Sequence, residues 1–355
     1  MRIVFVLPGR ENSGGVRCTS IMAEMLRRRG HEVRILCRVP DFSLRTWARR
    51  TRNKIAHPGV RDWLDEFKGP IESFRELSRC VFLEDEIIVA VGMIISAQMG
   101  SLDSVPNPKV QYLHGSTPDQ PARRKKAFNL PLPKIAVASY LSELVEKEGR
   151  GQVLAVIHNG VNCAEYFPSV PAAGRAGVGT IYGGHPAKDP KAVIEVIRRL
   201  SKERPKLPLR VFSSDRKPKE INRRIYLRNP TLQQAREAYS RSDVWVMASF
   251  SEGFSMPVLE AMACGCAVVA TDCGGPSDQI IDGKNGFLVP VGDVNRIVAR
   301  VLQLMDDSAL RDRIQRNALE TARKFTWEKC VNELETTLRR LEHQLERPEQ
   351  PVELH

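Results

Sequence analysis

Two glutamates stand out by their spacing: Glu252 and Glu260 flank seven residues in the run Ser251-Glu252-Gly253-Phe254-Ser255-Met256-Pro257-Val258-Leu259-Glu260-Ala261-Met262-Ala263-Cys264-Gly265. Gly253 falls in a strand-to-helix loop and Pro257 in the first helical turn, where its missing N–H costs little. A helix beginning there offers unpaired N–H groups to an anion while both carboxylates can face one cleft. On the residues alone, Glu252 as a solvated loop charge and Glu260 as an exposed helix residue remain open. A second phosphate-type signal lies in Pro8-Gly9-Arg10-Glu11-Asn12-Ser13-Gly14-Gly15-Val16, a glycine-rich strand-to-helix connection whose amides suit an anion. Gly9 and Gly14 have Walker A spacing, but Gly15-Val16 replaces the required Lys-Ser/Thr, and no G-x-G-x-x-G occurs. An unliganded glycine turn therefore stands beside the phosphate reading. A short strand, Gln111-Tyr112-Leu113, ends in a third candidate, His114, followed by Gly115. The chain has no C-x-x-C pair among its 8 cysteines, so neither a zinc site nor a disulfide framework is suggested.

The elements that must carry these residues alternate throughout. Arg2–Leu7 reads as a strand, Arg17–Arg29 as a helix and Glu32–Cys37 as a strand, which is α/β grammar. The pattern restarts after Pro168 and the small-residue linker beginning at Val170. Strands follow at 179–182, Leu209–Ser213, Val244–Ala248 and Ala267–Thr271, with helices at Lys191–Lys202, Thr231–Ser240 and Pro257–Cys264. Beyond Asp293 the chain reads as helical to Leu345, with one break near Phe325-Thr326. The expected organisation is therefore an N-terminal unit over 1–168, a second doubly wound unit over 169–326, a C-terminal helix over 327–345 crossing back toward the first, and a frayed tail over 346–355. A length of 355 residues suits about two domains, and 42% apolar with 27% charged residues excludes overall disorder. The apolar run 87–97 is far short of the roughly 20 residues needed to span a bilayer. The five apolar residues after Arg2 read as a strand rather than a signal segment, and scattered cysteines fit a reducing cytoplasm. In open parallel sheets ligands sit beyond the carboxyl ends of the strands, where Gly14, His114 and Glu252 all fall.

The 251–265 segment resembles the signature of retaining glycosyltransferase family 4, whose members have the GT-B fold of two Rossmann-like domains facing across a cleft. Further segments match in the same order: Ile157-His158-Asn159-Gly160-Val161-Asn162 with Phe167-Pro168, then Cys273-Gly274-Gly275-Pro276, and a loop-and-hairpin block from Ile281 to Pro290. The similarity is sharp between Asp243 and Asp293, and toward the N-terminus it is one of layout. The resemblance implies that Glu252 contacts hydroxyls of a donor sugar and Glu260 those of a ribose, roles that suit a carboxylate able to accept two hydroxyl hydrogen bonds. It also implies donor contacts along Gly253, Phe254, Ser255 and Met256, and a histidine, here His114, holding a sugar hydroxyl; a satisfied structural histidine is the alternative. The family normally places an Arg and a Lys after the first strand of the second domain to hold the diphosphate. Here Lys188 stands for the lysine, whereas His185, mostly neutral at pH 7, stands where the arginine belongs. Arg216 or Lys217 could substitute for that charge. Leaving-group charge would then fall to Lys188, the amides around Gly14 and Gly15, and a helix dipole. Retaining enzymes of this class use neither a protein nucleophile nor a metal, so the expectation is a nucleotide-sugar co-substrate with no metal and no cofactor.

The net charge of +12 leaves three partner classes open until the charge is located. Residues 42–61 carry Arg45, Arg49, Arg50, Arg52, Lys54 and Arg61 without an acidic residue, and as a helix Leu44, Trp47, Ala48, Thr51 and Ile55 share one face. Such a basic amphipathic helix reads either as contact with an anionic membrane surface through Arg45, Trp47, Arg49 and Arg52, or as a solvated face packing Trp47 inward. Arg123, Arg124, Lys125 and Lys126 could extend that patch. Nucleic acid is not expected, because no aromatic stacking pattern accompanies the basic residues. The expected activity is transfer of a hexose-type sugar to a glycan or lipid-linked acceptor in polysaccharide or glycolipid synthesis, in the cytoplasm or at the inner membrane face. A catalytically silent sugar-nucleotide-binding subunit and a nucleotide-sugar 2-epimerase share the fold and are the alternatives.

Overall fold

The computed structural model describes residues 1–10, 13–39 and 63–346. The membrane-contact candidates Arg45, Trp47, Arg49 and Arg52, and the tail from residue 347 onward, lie outside the described residues. Among the described residues thirteen strands form two sheets. The first contains β1 (Arg2–Leu7), β2 (Glu32–Arg38), β3 (Ile71–Phe74), β4 (Glu86–Val91), β5 (Lys109–Leu113), β6 (Lys134–Ala136) and β7 (Val153–Val156), in the order β3-β2-β1-β4-β5-β6-β7. The second contains β8 (Val178–Ile181), β9 (Leu209–Ser213), β10 (Tyr226–Arg228), β11 (Val244–Met247), β12 (Ala267–Thr271) and β13 (Phe287–Val289), in the order β10-β9-β8-β11-β12-β13. All pairings are parallel. The strand order reverses between β1 and β4, and again between β8 and β11. Central strands covered by helices on both faces must be apolar throughout, and Ile3 to Leu7 in β1 and Val244 to Met247 in β11 are all buried.

Helices α1 (Gly14–Arg28), α2 (Gly92–Ser96), α3 (Pro121–Phe128) and α4 (Ser139–Glu148) belong to the first unit. The second has α5 (Pro190–Glu203), α6 (Leu232–Ser240), α7 (Met256–Ala263), α8 (Val294–Asp306) and α9 (Ser308–Ala322), and α10 (Trp327–Glu346) follows. Local chemistry sets several starts: Asp189 caps α5 through the Ala192 amide, and Thr231 and Gln234 form a reciprocal capping box on α6. Along α10, Cys330, Val331, Leu334 and Leu338 are buried; Cys330 Sγ lies 3.6 Å from Met22 Sδ of α1, so this last helix packs against the first domain.

Three expectations need correction. Helix α1 starts at Gly14, not Arg17, because Ser13 accepts the Val16 amide and caps it there, making Gly14 and Gly15 helical residues rather than loop residues. The long helical stretch beyond Asp293 breaks at Asp307 as well as near residue 325, since Asp307 leaves helical geometry and caps α9 through the Leu310 amide. The 281–290 block is not a hairpin: β13 runs parallel to β12, and the turn before it is held by Asn285 and Asp282 side chains on the Ile281 and Leu288 amides. Among the described residues no helix is long and apolar enough to cross a membrane.

Candidate active site

The carboxyl ends of β1 and β5 from one sheet and of β8 and β11 from the other meet at a single cleft. The loop after β11 carries the glutamate motif, and its position is fixed from two sides. The amides of Phe250 and Ser251 donate to the Ala187 carbonyl in the loop after β8. On the other side Glu252 N donates to Cys273 O and Gly275 N to Glu252 O, tying the motif to the loop after β12. Ser255 then adopts φ +69° and leads into α7.

Glu252 is buried, and both its oxygens face Lys188, at 2.7 and 2.9 Å from Nζ. Ser249 Oγ donates to the same carboxylate at 2.6 Å. Lys188 sits on a 3₁₀ turn, Pro186–Lys188, whose entry is fixed when His185 Nδ1 accepts the Ala187 amide. Spacing in the sequence does not reveal that Lys188 and Glu252, 64 residues apart, are a bonded pair. Together they offer a carboxylate for hydroxyls and an ammonium, about a third exposed, able to turn to an anion.

The opposite wall comes from the first domain. His114 follows β5, its ring beside Gly15 of α1, where a Cβ would stand 3.6 Å from the imidazole. Its carbonyl touches the motif itself: a Cβ on Gly253 would fall 1.9 Å from His114 O, so only glycine lets the walls approach this closely. Burial lowers the His114 pKa to about 4, so the imidazole is neutral at pH 7, and its Nε2 is buried without a partner. The unfolded chain takes up a proton near pH 6.5 while the folded protein holds this ring neutral to about pH 4, so stability falls as pH drops through that window. His114→Gln removes the penalty, at most ~3 kcal/mol. The melting temperature of the variant relative to the parent is expected to rise between pH 6.5 and 4 and to stay level above pH 7; parallel profiles would refute it.

The remaining residues divide. Gly14 and Gly15 place the α1 N-terminus at the cleft, and Met256 begins α7. The Phe254 side chain does not face the cleft: it is buried beside His158, with ring centroids 5.5 Å apart, and Phe325, at 5.9 Å, so any ligand contact from Phe254 is through its backbone. His185 is exposed, with Nε2 3.9 Å from Asp119 across the cleft mouth. Neither proposed substitute charge joins it. Lys217 Nζ is engaged by the carbonyls of Pro218 and Ile221 within its own loop, and Arg216 is exposed with no ion pair among the described residues.

Glu260 is buried rather than solvated, and its partners come from elsewhere. Arg17 Nη1 of α1 lies 2.6 Å from Oε1, and Tyr239 Oη donates to Oε2 at 3.0 Å. The Arg17 guanidinium also lies 4.5 Å from the Trp63 ring centroid and 5.6 Å from that of Tyr166. Burial is the largest single influence and disfavours its charge, but the interactions with Glu260, Tyr166 and Cys18 together raise the pKa. A cation in the first turn of a helix opposes the helix dipole. That misplacement is the sequence signal that Arg17 answers a carboxylate elsewhere.

Residues 184–321 match the family description "Glycosyl transferases group 1". This stretch is similar to a glycosyl transferases group 1 domain. It contains the His185–Lys188 turn and both motif glutamates. Over 219 residues the chain is 29% identical to a D-inositol 3-phosphate glycosyltransferase of Streptomyces bingchenggensis, covering 53% of this chain and 48% of that protein. Over 86 residues it is 42% identical to an uncharacterized glycosyltransferase of Methanocaldococcus jannaschii, covering 24% of each. The chain thus spans about half or less of the curated relatives it matches. HepE of Anabaena, solved in complex with UDP-glucose, superimposes with a TM-score of 0.74 at 18% identity over 96% of this chain and 100% of that one. That likeness, at low identity, concerns the fold: the matched stretch lies in the second half of a GT-B architecture.

Proposed function

We propose that the chain is a retaining, metal-independent glycosyltransferase of family 4 that moves a hexose-type sugar from a nucleoside diphosphate to an acceptor hydroxyl. The observation that carries this is the Lys188–Glu252 pair facing a neutral His114 across the cleft. In this reading Glu252 and His114 hold sugar hydroxyls from opposite walls. Lys188 takes the negative charge that builds on the departing diphosphate, assisted by the amides at the N-termini of α1 and α7. No side chain acts as nucleophile; the acceptor hydroxyl approaches on the face the leaving group vacates. Donor binding by a nucleotide sugar is supported by the fold shared with HepE, which binds UDP-glucose. The acceptor, a glycan or lipid-linked sugar in polysaccharide or glycolipid synthesis, enters from the first domain at the cytoplasmic face of the membrane.

One arrangement favours a silent nucleotide-sugar-binding subunit instead. Arg17 occupies Glu260, and no arginine stands at position 185. Melting temperature with UDP, GDP, ADP and CMP, followed by turnover of the matching sugar nucleotides with membrane extract as acceptor source, separates the two. A ligand at 100 times its dissociation constant adds about 2.7 kcal/mol. Stabilisation by one nucleoside diphosphate with turnover is expected; stabilisation without turnover makes the protein a binding subunit, and neither result overturns both readings.

A further inference from the structure

Three polar side-chain atoms around the cleft are buried without a hydrogen-bond partner: His114 Nε2, Ser255 Oγ and the hydroxyl of Tyr140. Buried polar atoms are almost always paired, so an unpaired one beside the cleft marks where a polar ligand can complete it. Tyr140 lies in the first turn of α4, in the first domain, yet its ring lies on the second. A Cβ on Gly274 would stand 2.7 Å from the Tyr140 ring, and Gly274 has φ +112° and forms a β-bridge with Glu252. The start of α4 is anchored there, because Ser139 N donates to Asp278 Oδ2 at 2.7 Å and His158 Nε2 binds the same oxygen at 2.9 Å. The phenol is therefore held beside the glutamate motif by packing on both sides. Burial, the largest influence, outweighs the opposing pull of nearby Ser116 and, with the Cys273 and Glu252 charges, pushes its pKa up, so it stays a protonated donor at any working pH.

We propose that Tyr140, reaching across from the acceptor-side domain, hydrogen-bonds a hydroxyl of the donor's sugar and is a specificity residue for that sugar. This rests on the reading of the cleft as a nucleotide-sugar site. Because the ring rests on Gly274 only with the two domains together, the contact forms only in the closed cleft, so sugar recognition is coupled to closure.

Tyr140→Phe keeps the ring on Gly274 and removes only the hydroxyl. Binding of UDP against UDP-glucose, GDP against GDP-mannose and ADP against ADP-glucose is measured by calorimetry on the full chain, parent and variant. The parent is expected to bind the accepted sugar nucleotide more tightly than its diphosphate, and the variant to lose that increment by about tenfold, with diphosphate affinity and melting temperature unchanged. The kcat for transfer falls with it. An unchanged sugar increment overturns the proposal, as does an equal loss for diphosphate and sugar nucleotide, which a structural role would give. A parent without any increment overturns it too. Loss of the increment in a protein that transfers no sugar leaves Tyr140 in place and refutes the transferase reading instead.

Discussion

Replacing Glu252 with alanine is expected to lower kcat/KM for sugar transfer by about 10²- to 10⁴-fold and to leave the fold standing. The carboxylate, 8% exposed, is the acceptor on which both Lys188 and Ser249 converge, and in the proposed reaction it binds sugar hydroxyls through charge-assisted hydrogen bonds. Each such bond is worth about 1.5–3 kcal/mol, and two of them convert to the loss stated at about 1.4 kcal/mol per factor of ten. The fold survives because the partner left behind, Lys188, has a third of its side chain in water and can be solvated. Turnover of the identified sugar nucleotide, with circular dichroism and melting temperature as controls, checks this. Near-normal turnover in a folded variant would remove Glu252 from the site.

Arg17→Met is expected to destabilise the protein by about 3–5 kcal/mol, although Arg17 is far in sequence from the motif it serves. Arg17 and Glu260 have side chains only 12% and 8% exposed, and their 2.6 Å pair joins the first domain to the second. Removing the guanidinium leaves Glu260 charged and buried, with the Tyr239 hydroxyl and the neighbouring Tyr166 to support it but no compensating cation. Adding Glu260→Gln should restore most of the loss, since a neutral amide still accepts from Tyr239 and no buried charge remains. Denaturant midpoints of the parent, both single variants and the double variant measure the coupling; additive effects would show that the pair does not hold the domains. The same cycle read by nucleotide affinity tells whether a ribose must displace Arg17 to reach Glu260.

The sequence by itself determined the α/β class, the two-unit organisation and the strand ends where the candidate site lies. Those rest on local physics: runs such as Ile3–Leu7 must be buried strands, and glycine with proline after a strand marks a strand-to-helix turn. It also singled out Glu252, Glu260, Lys188 and His114, because their motifs are contiguous in the chain. Tertiary structure alone decided their states. Lys188 pairs with Glu252 only because the loops after β8 and β11, neighbours in the sheet but far apart in sequence, share the Ala187 carbonyl. The helix-face pattern puts Glu260 in water; the approach of α1 from the other domain buries it against Arg17. Phe254, contiguous with the motif, turns into the core because His158 and Phe325 build a pocket for it. Tyr140 and Gly274, 134 positions apart, meet only because α4 docks on Asp278. Periodicity and turn chemistry act over a few residues and are legible in one dimension. Pairing of charges and closure of a cleft depend on distances between segments remote in sequence, which no spacing along the chain encodes.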